Sequence, residues 1–124
     1  MEMKFFRCEH CGNIITHAKS SGVPVVCCGD KMKELIPGVV DAAKEKHIPV
    51  LNIEGNKAVV NVGSVEHPMT EAHYIEWICL STKRGHQMKY LHPGEKPETC
   101  FLLCEGDSVE EVYAYCNLHS LWKA

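Results

Sequence analysis

The stretch Val50-Leu51-Asn52-Ile53-Glu54-Gly55-Asn56-Lys57-Ala58-Val59-Val60-Asn61-Val62 decides the fold class. Its two runs carry the period of two that places successive side chains on opposite faces of a strand, and Gly55-Asn56 between them favours a hairpin. Outward from this hairpin, His73 to Leu80, Gln87 to Leu91, Thr99 to Cys104 and Glu111 to Tyr115 repeat the pattern in short runs separated by turn residues. Five or more short strands at such spacing predict a mostly β protein built as an antiparallel β-sandwich. Asp41 to Lys46 is at most a short helical turn before His47, and no long helix, internal repeat or low-complexity tract is present.

Residues 1–36 read differently. They hold Cys8, Cys11, Cys27 and Cys28, with Gly12, Gly22, Pro24 and Gly29 at tight turns, and Pro37-Gly38 marks a break before the remainder, 37–124. So short a segment cannot bury enough apolar surface to fold by itself, and a metal core is the usual remedy. In a Cys-x-x-Cys turn two thiolates approach one ion while backbone N–H groups donate to the sulfurs, and a second cysteine pair completes a tetrahedron. The second pair is adjacent rather than spaced, so its side chains must splay apart. Iron, structural zinc and a redox disulfide all suit four such cysteines on ligand type alone.

The whole chain has 124 residues, a formal charge of −3, and apolar and charged fractions of 45% and 23%, as in a globular protein. Nothing in this balance provides a basic footprint for nucleic acid or for an anionic membrane surface. Met1 to Cys8 has charges too frequent for a signal peptide, and no apolar span is long enough for a membrane. A cytoplasmic location follows as the expectation, with the eight cysteines reduced and metal binding as their first explanation.

Five residues in the second part, His47, His67, His73, Cys116 and His119, form a candidate ligand set for one metal. Five ligands are one more than zinc usually takes, and four imidazoles with a thiolate suit a redox iron that keeps a position for a small molecule. Pro68 pushes His67 into extended backbone, and His73 is expected to open a strand with Ile75 and Trp77 on its side. Any single histidine is more often a surface or satisfied core residue, and His10, His17, His86 and His92 are read so. Cys79, Cys100 and Cys104 are read as small buried apolar residues, and Trp77, Phe101 and Leu103 as core.

Cys8-Glu9-His10-Cys11 and Val25-Val26-Cys27-Cys28-Gly29 resemble the desulforedoxin module, in which four cysteines hold one iron. Glu45-Lys46-His47, His67-Pro68-Met69, His73-Tyr74-Ile75 and Cys116-Asn117-Leu118-His119 resemble the superoxide reductases. The two together, over essentially the whole chain, resemble the desulfoferrodoxin family. The resemblance implies a desulforedoxin-like Fe(Cys)4 domain at 1–36 and a superoxide reductase (neelaredoxin-like) domain at 37–124 with an immunoglobulin-like sandwich. It implies two iron ions per chain, the second held by four equatorial imidazoles, His47, His67, His73 and His119, and the axial thiolate of Cys116. It further implies superoxide as substrate, rubredoxin or a similar donor of electrons, and a homodimer. Lys46 would steer and stabilise the anion, and Glu45 would close the vacant position of the oxidised centre. Ser120 departs from the family pattern, which has glycine after the last histidine, and is strained if that position needs positive φ. Two other classes stay open on the residues alone: a cupredoxin-like electron carrier, suggested by Cys116 and His119 on a sandwich, and a zinc-binding interaction module, suggested by the first cysteine set.

Overall fold

A computed structural model describes residues 2–124, which divide into a unit of Met3–Ile36 and a unit comprising Glu2 and Pro37–Ala124. In the first unit β1 (Phe5–Arg7) lies between β2 (Ile14–Thr16) and β5 (Lys33–Leu35), all antiparallel, and β3 (Val26–Cys27) pairs with β4 (Asp30–Lys31). No strand here exceeds three residues, and Phe5, Cys8 and Met32 are its buried apolar side chains. Backbone pairing this short, over so small a core, leaves the unit dependent on whatever draws its cysteines together.

The second unit opens with α1 (Lys44–His47) and continues as a sandwich of two antiparallel sheets. One sheet has the order β10 (Glu98–Leu102), β7 (Lys57–Val62), β6 (Pro49–Glu54); the other has β12 (Ser120–Lys123), β11 (Val109–Cys116), β8 (Ile75–Thr82), β9 (Gly85–Tyr90). The expected hairpin joins β6 to β7, with Glu54 opposite Lys57 and Gly55-Asn56 as its turn. Alternation along β7 sends Ala58, Val60 and Val62 inward, where they meet Ile78 and Leu80 of β8, Phe101 of β10, and Val112, Ala114 and Cys116 of β11. Cys116 is therefore the last member of an inward-facing stripe, and its complete burial follows from the pleat.

Beside Cys116 the ladder is irregular. Tyr115 faces Trp77 but Cys116 faces Ile75, so Glu76 is an extra residue on β8, and this β-bulge turns Ile75 inward together with Ile78. The loop of residues 117–119 then links Cys116 to Ser120, and Ser120 sits at φ 65°. Ser120, the first residue of β12 directly after that loop, is therefore left-handed, a conformation that glycine adopts without a Cβ penalty. At the open side of the sandwich, Gln87 Nε2 of β9 donates to the Leu102 carbonyl of β10 at 2.9 Å, and Lys89 Nζ donates to the Cys100 carbonyl while lying over the Phe101 ring. Side chains thereby join the margins of the two sheets.

Several expectations need correction. His73 lies in the bend before β8, which starts at Ile75, and the strand expected over Thr99 to Cys104 is Glu98–Leu102. Cys79 is buried, but Cys100 and Cys104 are exposed: Cys100 alternates with inward Phe101, and Cys104 lies in the turn after the strand. Trp77 and Phe101 are buried, Leu103 only partly. The first unit's five strands and β12 carry too few residues for a period to be legible. No helix among the described residues is long and apolar enough to cross a membrane.

Replacing Ser120 by glycine removes the left-handed penalty of about 1–2 kcal/mol, offset by glycine's extra chain entropy of about 0.5–1 kcal/mol. Ser120→Gly should accordingly raise unfolding stability by about 0.5–1 kcal/mol in denaturant titration, and a loss of stability would refute the strain.

Candidate metal centres

In the first unit the sulfurs of Cys8, Cys11, Cys27 and Cys28 all lie within 4.8 Å of one another. Cys11 Sγ and Cys27 Sγ are 3.6 Å apart, where two sulfurs about 2.3 Å from one tetrahedral ion would be separated by about 3.8 Å. The Cys8 knuckle is closed by Gly12 N–H donating to the Cys8 carbonyl at 2.9 Å, and Cys11 N–H points at Cys8 Sγ at 3.5 Å. The adjacent pair is accommodated by two successive left-handed residues, Cys28 at φ 52° and Gly29 at φ 82°. A non-glycine residue held there stores strain, which reverses the chain sharply enough to bring both thiols to one point.

The acidities of these thiols diverge. The Cys11 backbone N–H draws the Cys8 thiol down to about 6, while hydrogen bonding with Cys11 and Cys8 pushes Cys28 up to about 12. One thiolate forms readily and each further negative charge is resisted, so four together require a cation.

In the second unit the imidazoles of His47, His67, His73 and His119 make a ring of four. Successive centroids are 4.6 Å (His47 to His67), 4.7 Å (His67 to His73), 5.0 Å (His73 to His119) and 4.9 Å (His119 to His47), and each neighbouring pair meets at 76–87°. His47 and His73 stand 6.3 Å apart as a diagonal. This is a square of imidazoles seen edge to edge, with Cys116 Sγ 3.8 Å from His119 Nδ1 and within 4.8 Å of the ligating nitrogens of His47, His67 and His73.

Proton placement shows what the square lacks. His47 Nδ1 lies 2.7 Å from the Ala43 carbonyl and His67 Nδ1 2.6 Å from the Pro68 carbonyl, so each donates from that nitrogen and presents a bare Nε2. Those two Nε2 atoms face each other at 3.2 Å, and His47 Nε2 is 3.1 Å from His119 Nδ1. Lone pairs so disposed repel unless a cation lies between them, and two nitrogens about 2.1 Å from one ion at a right angle would be about 3.0 Å apart. His73 Nε2 is buried without any hydrogen-bond partner. The donor set thus fits a metal held by three Nε2 atoms, one Nδ1 and a thiolate, and both centres are able to hold iron.

Burial favours the neutral form of three of the rings: it lowers His47 and His73 and brings His67 down to about 4, with neighbouring imidazoles adding to the effect. Burial also raises the Cys116 thiol, opposed by the Leu118 and His119 backbone N–H groups. A cation that takes the place of the thiol proton relieves this cost.

The supports of the square come from neighbouring loops. Asn117 is the chief tie: its Oδ1 accepts from Tyr74 N–H at 2.9 Å, its Nδ2 donates to the Ala72 carbonyl at 3.0 Å, and its own N–H reaches the Tyr74 carbonyl at 3.2 Å. His73 is thereby held against the turn that carries Cys116 and His119. Gly63 closes in on α1 from the other side, where an added Cβ would stand 2.5 Å from the Glu45 carbonyl and 3.0 Å from that of Ile48. Val65 N–H and Ser64 Oγ donate to the same Glu45 carbonyl at 2.9 and 3.3 Å.

All nine candidate ligands fall in these two clusters. Glu45 and Lys46 have exposed side chains on α1 next to buried His47, with no hydrogen bond or ion pair among the described residues, and the Lys46 charge reaches His47 and His73. Sequence reading missed Asn117 and Gly63. Asn117 had a legible signal, since it lies inside the Cys116 to His119 turn, whereas the close approach of Gly63 depends on a remote segment.

Known proteins resemble the chain over its whole length. A family model described as desulfoferrodoxin matches residues 39–124, and one described as the desulfoferrodoxin N-terminal domain matches residues 1–35. The desulfoferrodoxin of Syntrophotalea carbinolica is 44% identical over 99% of this chain and 96% of its own, and a desulfoferrodoxin homolog of Archaeoglobus fulgidus is 43% identical over 98% and 96%. The solved superoxide reductase from Treponema pallidum is 42% identical, with a TM-score of 0.85 over 100% of this chain and 99% of its own. Superoxide reductase (1Fe-SOR) from Giardia intestinalis is 36% identical, with a TM-score of 0.56 over 65% of this chain and 96% of its own.

Asn117→Ala removes two side-chain hydrogen bonds and frees the loop that carries His73. It should lower stability by about 1–3 kcal/mol in denaturant titration and speed metal loss from the imidazole cluster to a chelator, leaving the four-cysteine cluster loaded.

Proposed function

The chain belongs to the desulfoferrodoxin family, and from that premise we propose that it is a superoxide reductase whose second centre carries the reaction. The observation that supports this most is the square of four imidazoles with one buried thiol beside it. A blue-copper carrier uses two imidazoles and a thiolate, and a zinc module uses four ligands in all, so neither alternative accounts for the set.

His47, His67, His73, His119 and Cys116 would hold the catalytic iron, and Cys8, Cys11, Cys27 and Cys28 would hold the first iron. Iron, when bound, supplies the electron that reduces superoxide and an open position for that anion. The imidazoles stay neutral and Cys116 contributes one negative charge, so a ferrous site keeps a single net positive charge that attracts an anion. Burial excludes water from the Cys116 side, leaving the substrate to approach from the solvent side. Lys46, exposed beside His47, steers superoxide there and stabilises the charge that grows on its oxygens. One electron and two protons convert superoxide to hydrogen peroxide without releasing dioxygen, and solvent at this exposed margin supplies the protons. Glu45 is held at its carbonyl while its exposed carboxylate has no hydrogen bond or ion pair among the described residues, so it would be available as a further ligand to the oxidised centre.

The reading extends to the whole molecule: residues 1–36 form a desulforedoxin-like domain that acts as an auxiliary electron site, and residues 37–124 the catalytic domain. Rubredoxin or a similar small carrier supplies the electrons, the enzyme works in the cytoplasm, and it assembles as a homodimer.

Cys116→Ser should abolish superoxide reduction and leave the visible spectrum of the first centre intact; activity surviving that change would remove Cys116 from the ligand set. Lys46→Ala should slow the second-order reaction with superoxide in pulse radiolysis and weaken its dependence on ionic strength. An unchanged rate would return Lys46 to an ordinary solvated side chain.

A further inference from the structure

Trp122 touches the second centre at two points and has no part in the chemistry above. Its ring lies 4.9 Å from that of His47 at a tilt of 33°, and its indole N–H donates to the His119 carbonyl at 2.9 Å. His47 and His119 are adjacent corners of the square, their planes at 87°. Trp122 is 2% exposed and sits on β12 opposite Ala114, two residues before Cys116.

Both contacts act where the ligands are otherwise loosely held. The His47 ring has one hydrogen bond to the main chain, to Ala43, and its Nε2 faces His67 and His119, so the tilt of the ring depends also on what packs against its face. The indole supplies that face. His119 presents Nδ1, the ring nitrogen nearer the backbone, so its reach depends directly on where the main chain at residue 119 stands. That main chain precedes the left-handed Ser120, and the indole N–H is what tethers its carbonyl.

Resting on the reading of this cluster as an iron centre, we infer that Trp122 is a positioning residue that sets the planes of His47 and His119 relative to the metal. Groups that orient metal-bound imidazoles change affinity and electronic structure without touching substrate.

The test compares Trp122→Phe, which keeps a ring against His47 but loses the N–H, with Trp122→Leu, which loses both. In the iron-loaded chain, each variant should shift the thiolate-to-iron charge-transfer band of the second centre, and iron should leave that centre for a chelator about tenfold faster in Trp122→Phe and faster still in Trp122→Leu. The spectrum and iron retention of the first centre should not change. A parental band and parental retention in both variants would overturn the inference, as would parallel losses at both centres, which would show general destabilisation. Iron uptake at the second centre of the parent chain is measured first; its failure would sink the functional reading itself.

Discussion

Two bare ring nitrogens 3.2 Å apart, on His47 and His67, are the encounter around which the second unit is built. Neither can offer a proton to the other while both rings donate elsewhere, so the arrangement is costly for the empty chain and favourable for a bound cation. The rest of the unit can be read as support for that encounter. The pleat of β11 drives Cys116 inward, the bulge at Glu76 adjusts the ladder beside it, and Asn117 binds the loop of His73 to the turn of His119. A rigid sandwich beneath and short tied loops above allow ligands from residues 47 to 119 to converge.

Much of this was legible in the residues. The hairpin over Val50 to Val62 appears where its alternation places it, because a half-buried strand must repeat its apolar residues every second position. The four cysteines were also legible through their Cys-x-x-Cys turn, and the five candidate ligands through the segments around them that resemble the superoxide reductases, since a histidine by itself is an ordinary surface or core residue. His73 was misplaced because an apolar alternation from Ile75 onward extends visually to residue 73, although the Thr70 to His73 bend ends it. Cys100 and Cys104 read as buried because they fall within or at the end of a strand candidate, but the side of the pleat decides burial and Phe101 has the inward place.

What sequence could not convey was the set of contacts that link distant segments. The space that Gly63 leaves for the Glu45 carbonyl and the seat of Trp122 against His47 exist only once the sheets have packed. The first unit has the same difficulty in stronger form. Its strands are too short to show a period, and the successive left-handed residues Cys28 and Gly29 make sense only as a means of aiming two adjacent thiols at one point.

The bridge from β9 to β10 bears on how molecules of this protein behave toward one another. An edge strand with idle carbonyls is a template on which another chain can continue the sheet, and the outward carbonyls of Cys100 and Leu102 are the groups such a newcomer would use. Lys89 and Gln87 already occupy them, and Lys89 adds a charge that a stacking neighbour would have to desolvate. This margin is thus closed to a strand that would continue the sheet from β10.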